Sequence, residues 1–165
     1  MGSAFTLAEP ADAPELAELR TAAARELTAN HGGGHWSTES SERGVLANLR
    51  QAQVWVARHR ATAVATFRLT TRRPWAIDRS YFSNSRQPLY LTDMAVHPDL
   101  QRRGLGRRCV AEAVRIARAW PADALRLDAY DAAAGAGPFY RKCGFREVGR
   151  VSYRSVPLIY FELVL

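Results

Sequence analysis

The chain is short of several residue types. Its 165 residues include only two cysteines, Cys109 and Cys143, and neither has a second cysteine close by in sequence. A disulfide framework and a cysteine-built metal centre are thereby excluded, and two free thiols in a reducing compartment are expected. No apolar run approaches the ~20 residues that a bilayer-spanning helix needs, and no segment reads as a signal peptide. A soluble cytoplasmic protein with no membrane partner is expected. Met1-Gly2-Ser3, with Thr6 at the sixth position, matches a myristoylation start only superficially. Lysine occurs once, at Lys142, so the net charge of +7 comes almost wholly from arginine. That charge suits an acidic small ligand. Nucleic-acid binding would call for a recognition-helix motif or an aromatic-and-basic sheet signature, and neither is present. His31 and His35 flank three glycines with no third ligand in sequence reach, so no metal is expected. A Walker loop, Gly-x-x-x-x-Gly-Lys-Ser/Thr, is missing too, and Cys109 stands where a dinucleotide fingerprint needs its third glycine.

What the chain does have is concentrated between Leu89 and Arg118. Leu89, Tyr90, Leu91, Met94 and Val96 form an apolar, β-favouring run that halts at His97-Pro98. A polar turn then carries Gln101-Arg102-Arg103-Gly104-Leu105-Gly106, and an Ala-rich amphipathic segment follows. The order is strand, glycine-punctuated loop, helix. At a helix start the first N–H groups lack intrahelical partners, and the aligned peptide dipoles make that end electropositive. Gly104 and Gly106 remove side chains that would hold a phosphate away, while Arg102, Arg103, Arg107 and Arg108 add positive charge. The stretch is suited to hold a diphosphate.

The remaining pattern predicts alternating layers. Ala4 to Ala8 reads as a strand; Asp12, Pro14 and Glu15 then start a helix that runs to about Asn30 on Leu16, Leu19, Ala23 and Leu27. A glycine loop carries Trp36, which either caps the core or lines a pocket, and Ser37 to Arg50 resumes helical spacing. Val54–Ala57 and Ala63–Leu69 suit an antiparallel hairpin. Thr71 to Gln87 has no clean period and holds Trp75, Ile77, Asp78, Tyr81 and Phe82, aromatics that serve either as core plugs or as a substrate wall. Ala124–Tyr130 is a strand, Pro138 opens a short helix that Gly144 stops, and two strands near Arg146–Tyr153 and Leu158–Val164 close the chain.

Gln101-x-x-Gly104-x-Gly106 after a strand ending in Val96-His97-Pro98 resembles the coenzyme A signature of the GNAT superfamily of N-acetyltransferases. Phe139-Tyr140-x-Lys142-x-Gly144-Phe145 resembles its second signature, at the separation that superfamily shows. Together they cover roughly Leu89 to Phe145; the N-terminal half agrees in layout only. The resemblance implies an α/β (mixed α+β) fold in one domain spanning residues 1–165. Its sheet would be twisted, mixed and mostly antiparallel, with helices on both faces and a splayed cofactor strand. It further implies that Met94, Ala95 and Val96 offer backbone groups to the pantetheine arm and acetyl group of acetyl-coenzyme A. Gln101, Arg102, Arg103, Gly104, Leu105, Gly106 and Arg107 would hold the pyrophosphate. One position departs from the pattern: Ala133 stands where many members carry a cofactor-contacting asparagine.

Transfer of an acetyl group from a thioester to an amine requires a group to accept the amine's proton, donors for an oxyanion, and an acid for the departing thiolate. The implied acid is Tyr140. For the base, Asp93 on the cofactor strand either takes the proton or ties down a neighbouring loop; Glu162 is a further candidate, and Asp128 is expected to be structural. Tyr90 and Thr92 share a strand face and are placed to position a water. Trp36, Trp75, Asp78, Tyr81 and Tyr90 are the expected acceptor-binding residues, with Asp78 facing a cationic acceptor. The acceptor could be a small metabolite, an amino acid, a polyamine, an antibiotic or a protein terminus, and the protein a monomer or homodimer. The rival reading is an acyl-coenzyme A sensor or assembly module of the same fold that binds without turnover.

Overall fold

In a computed structural model the described residues are 4–165; the Met1-Gly2-Ser3 start lies outside them. Seven strands form one sheet in the order β1-β2-β3-β4-β5-β7-β6. They are β1 (Phe5–Leu7), β2 (Gln53–His59), β3 (Thr62–Thr70), β4 (Pro88–Val96), β5 (Ala124–Tyr130), β6 (Arg146–Tyr153) and β7 (Val156–Val164). Every neighbouring pair is antiparallel except β4 and β5. The helices are α1 (Ala13–His31), α2 (Glu42–Gln51), α3 (Leu105–Ala119) and α4 (Gly137–Lys142). None of them is long and apolar enough to cross a membrane.

Alternation along the strands divides the core in two. Val54 and Val56 of β2 and Ala63 of β3 face Leu16 and Leu19 of α1 and Val45 of α2. The opposite face carries Phe67, Leu89, Leu91, Leu125 and Leu127, packed against Leu105, Cys109, Val110, Ala113 and Ile116 of α3. These α3 residues recur at three- and four-residue steps, which is why a single stripe of that helix is buried.

Local side-chain chemistry shifts some boundaries from those the pattern predicts. The second helix begins at Glu42 rather than Ser37, because the Ser41 side chain accepts the Gly44 N–H at 3.1 Å and caps it there. Asp12 does not cap α1 with its side chain; it accepts the Glu9 N–H at 2.8 Å and pairs with Arg58 at 2.5 Å. The β6–β7 turn is Arg154-Ser155, both left-handed at φ 48° and 67°, which lets β7 start at Val156, earlier than Leu158.

The segment between β3 and β4 is irregular yet tied down. Ile77 and Phe82 are plugs in a cluster with Tyr90 and Tyr160. The Tyr160 hydroxyl donates to the Ala76 carbonyl and accepts the Asp78 N–H at 3.1 Å. Glu162 accepts the Ser83 N–H at 3.1 Å, and Arg126 donates to the Ser83 carbonyl at 2.7 Å.

Candidate active site

Strand β4 is paired with β5 only over Pro88–Tyr90, opposite Ala124–Arg126. β5 stays paired with β7 to Tyr130 and β4 with β3 to Val96, but past Tyr90 and Arg126 the two strands no longer pair with each other. The β5-facing edge of β4 from Leu91 to Val96 thus lacks a strand partner, and its N–H and C=O groups face the opening. A bulge adds to the divergence. Thr66 is opposite Ala95 and Arg68 opposite Thr92, leaving Asp93 and Met94 together across from Phe67, with Asp93 left-handed at φ 50°. Such an insertion bends and twists its strand.

On the α3 side the opening continues into a groove of about 440 Å³ lined by Met94, Val96, Gln101, Gly104, Gly106 and Phe139. The Gln101 amide donates to the Val96 carbonyl at 3.1 Å, folding the loop back along the strand end. Gly104 caps α3 at φ 84°, a left-handed conformation natural to glycine, and a Cβ there would meet nothing within 4 Å. The loop is open to solvent, as are Arg102, Arg103 and Arg107. The first N–H groups of α3 therefore look into an unobstructed, arginine-rimmed space, which fits a diphosphate. The Leu105 side chain is turned into the core, so its contribution there is its backbone alone, as is that of the buried Ala95. A Cβ on Gly106 would come 3.2 Å from the Phe139 ring, so the glycine lets α4 pack close to α3.

On the other side lies a cleft of about 770 Å³, bordered by Thr92, Asp93 and Met94 of β4, Asp128 and Tyr130 of β5, and Tyr140 of α4. Met94 and Ala136 border both cavities, so groove and cleft meet where β4 and β5 part. Asp93 is ion-paired with Arg68 Nε at 3.0 Å; the same guanidinium donates to Thr92 Oγ1 at 2.8 Å and to Asn48 Oδ1 at 2.6 Å. Asp128 has no ion-pair partner among the described residues. Burial, reinforced by the nearby Asp93 carboxylate, pushes its carboxyl above the ordinary value. Tyr140 is 8% exposed and held by Phe139, Phe145 and Phe161, with ring centroids at 5.2, 5.6 and 6.0 Å. Burial first, and the negative charge of Asp128 second, push its phenol well above the usual tyrosine value. No described residue hydrogen-bonds its hydroxyl.

The structure scatters the other expected residues. Trp75, 81% exposed, stands between this cleft and a neighbouring cavity of about 760 Å³. Asp78 and Tyr81 line only that neighbour. The Asp78 carboxylate is taken by Ser80 N and Oγ at 2.9 and 2.7 Å, which holds its pKa low and makes it a turn cap. Trp36 lies edge-on against Tyr130 at 6.1 Å, one residue back from the cleft. Tyr90 does not line the cleft: it is 2% exposed, covered by Ile77 and Phe82 of the β3–β4 segment and by Tyr160. Glu162 does not line the cleft either; it is buried in an ion pair with Arg126 at 2.8 Å. Arg68, Tyr130 and Tyr153 are cleft residues that the sequence does not single out, and Asp128, expected to be structural, lines the cleft with them. Their only sequence signal is alternation along the strands, which needs the sheet order before it says which side faces the ligand. Among the described residues no group of three or more His, Cys, Asp or Glu is placed to hold a metal.

A family model described as acetyltransferase (GNAT) family matches residues 16–145. No curated protein matches. Among solved structures, a ribosomal-protein-alanine N-acetyltransferase from Brucella melitensis superposes with TM-score 0.73 at 21% identity, over 98% of this chain and 99% of that one. An acetyltransferase from Bacillus subtilis in complex with CoA gives TM-score 0.69 at 18% identity, over 99% of each chain. The yncA protein from Salmonella typhimurium, solved with acetyl-CoA, gives TM-score 0.71 at 19% identity, over 100% of this chain and 95% of that one.

Proposed function

Because the chain belongs to the GNAT acetyltransferase family, we propose that it moves the acetyl group of acetyl-coenzyme A directly onto a primary amine, through a tetrahedral intermediate. One observation carries this reading. The anion-suited groove and the carboxylate-lined cleft are joined at the gap between β4 and β5, and Asp128 and Tyr140 both border the cleft there.

Bound acetyl-coenzyme A supplies an activated acetyl thioester. Gln101, Arg102, Arg103, Gly104, Leu105, Gly106 and Arg107 hold its pyrophosphate, chiefly through main-chain N–H groups and flanking guanidinium charge. Met94, Ala95 and Val96, on the strand whose β5-facing edge has no strand partner here, offer backbone groups to the pantetheine arm and the acetyl oxygen, the Val96 carbonyl being already taken by Gln101, and an N–H fixed in that position stabilises a developing oxyanion.

Asp128 is the general base of this proposal in place of Asp93. It faces the cleft without an ion-pair partner among the described residues, and its raised proton affinity favours acceptance of an ammonium proton, directly or through a water. Asp93, ion-paired with Arg68, is not free to take that proton, and it lies close enough to add a small part to the rise in Asp128's proton affinity. Tyr140 borders the cleft and is protonated at neutral pH, and its hydroxyl is the donor this proposal assigns to the departing thiolate. Neither cysteine suits a covalent relay. Cys109 is buried with its thiol pushed up to about 12, and burial raises Cys143 as well. The test is acetyl-coenzyme A-dependent thiol release over a panel of primary amines. Amine-stimulated release with product mass increased by one acetyl group supports the reading, whereas tight binding with no stimulated release selects the sensor.

A further inference from the structure

Four charged side chains border the cleft: Arg68, Asp93, Asp128 and Arg154. Two of them cancel, since Arg68 and Asp93 are in contact at 3.0 Å. That leaves one charge of each sign. Asp128 has no ion pair among the described residues, and Arg154 is held only by stacking over the Tyr153 ring, its guanidinium carbon 5.3 Å from the centroid. The balance tips further toward positive charge behind the wall. Arg20 of α1 lies close enough to Asp93 and Arg68 to feel both, and its buried Nε and Nη2 have no hydrogen-bond partner.

A cleft with this charge layout is poorly matched to a polyamine, which would set a second cation against Arg154. An amine with no anionic group would leave that guanidinium, exposed on its turn, to water, whereas a carboxylate would pair with it. Resting on the acetyltransferase reading, we propose that the acceptor is an amino acid with an apolar or aromatic side chain. Its amine is directed to Asp128, its carboxylate to Arg154, and its side chain to the wall of Trp75 and Tyr153.

The spacing is compatible. Asp128 is opposite Tyr160, while Arg154 sits in the turn just before Val156. The four steps of β7 from Val156 to Tyr160 span about 13 Å. Asp128 and Arg154 border the same cleft, so a ligand carrying an amine at one end and a carboxylate at the other can engage both. The same chemistry is offered by a short peptide through its terminal carboxylate, so the test includes both sources.

The experiment compares L-phenylalanine, the dipeptide Phe-Gly, L-phenylalaninamide, phenethylamine and spermidine as acceptors. It uses thiol release for kcat/KM and calorimetric titration into the protein saturated with coenzyme A for affinity. Wild type is set against Arg154→Asn, because asparagine tolerates the φ of 48° at that turn. The expected result is a preference of about tenfold or more for a carboxylate-bearing acceptor over the amide and the plain amine, the size of one charge-assisted contact. That preference should collapse in Arg154→Asn while coenzyme A affinity is unchanged. A higher rate with Phe-Gly than with phenylalanine would overturn the free amino acid in favour of the peptide terminus. Equal or better turnover of the amide, the plain amine or spermidine would overturn the acceptor assignment and leave acetyl transfer standing. Absence of release with every amine would remove both.

Discussion

Replacing Asp128 by asparagine separates what this carboxylate does for the reaction from what it costs the fold. The variant keeps size and hydrogen-bonding capacity but cannot take a proton, so kcat/KM should fall by about 10²–10⁴, the usual contribution of a positioned general base. That corresponds to roughly 2.7–5.5 kcal/mol of barrier. Stability should move the other way. Burial and the Asp93 carboxylate raise the folded pKa of Asp128 above its unfolded value. A carboxyl of that kind gives its full stabilisation below the unfolded pKa and loses it as pH rises through the folded one. Above that window the wild type carries a charge its surroundings disfavour, by about 1.4 kcal/mol for each unit of elevation, and the neutral amide does not. Thermal unfolding of the pair should therefore show Asp128→Asn gaining on the wild type as pH is raised from about 4 to 8. In parallel, the wild-type kcat/KM should rise with pH through the elevated Asp128 pKa, and the variant should lose that limb. A variant within about threefold of wild-type rate at every pH, with the ascending limb intact, would refute the assignment of the base.

Three further substitutions test the other parts of the site. Tyr140→Phe should lower kcat by roughly 10–100-fold, the low end for a general acid because a thiolate leaves tolerably well unaided, with an unchanged melting temperature. A loss of several degrees instead would mark the hydroxyl as structural. Glu162→Gln leaves Arg126 charged and buried, with 3% side-chain exposure, so denaturant unfolding should show a loss of about 3–5 kcal/mol while kcat of the folded enzyme stays within a few-fold. Loss of kcat at unchanged stability would return Glu162 to the chemistry. In Gly135→Ala the new Cβ would lie 1.9 Å from the Tyr130 carbonyl oxygen, forcing the cleft wall to shift. Acceptor KM should rise while coenzyme A affinity is kept, and an unchanged KM would contradict the placement of that wall.

Much of this was legible in the sequence, for reasons that differ by element. The cofactor half could be read because its determinants are local. Gly104 must take a left-handed φ, Gly106 must admit Phe139, and the helix start supplies its own donors. The strand Ala124–Tyr130 is legible because Leu125, Leu127 and Ala129 alternate with Arg126 and Asp128 in sequence, although the burial of Arg126 against Glu162 is not. The acceptor half was not legible, because its residues meet only through pairing. Asp93 and Asp128 are far apart in sequence, and which of the two is neutralised depends on Arg68 standing beside Thr92 across β3 and β4. Glu162 and Tyr90 were read as site residues because polarity and strand position do not reveal that Arg126 and the loop through Ile77 and Phe82 cover them. The start of α2 was misplaced for a smaller reason: the Ser41 hydroxyl decides it, and helical spacing upstream of Val45 does not.

The most direct measurement is calorimetric titration of coenzyme A into the wild type, Gly104→Asn and Gly104→Asp. Asparagine and aspartate both tolerate the left-handed φ of 84°, so the pair differs chiefly in a charge placed at the open start of α3. Tight binding by the wild type, retained within a few-fold by Gly104→Asn and weakened by about 100-fold or more in Gly104→Asp, is the result predicted for a diphosphate seated on those N–H groups. Equal affinity in the two variants, or no binding by the wild type, would contradict it.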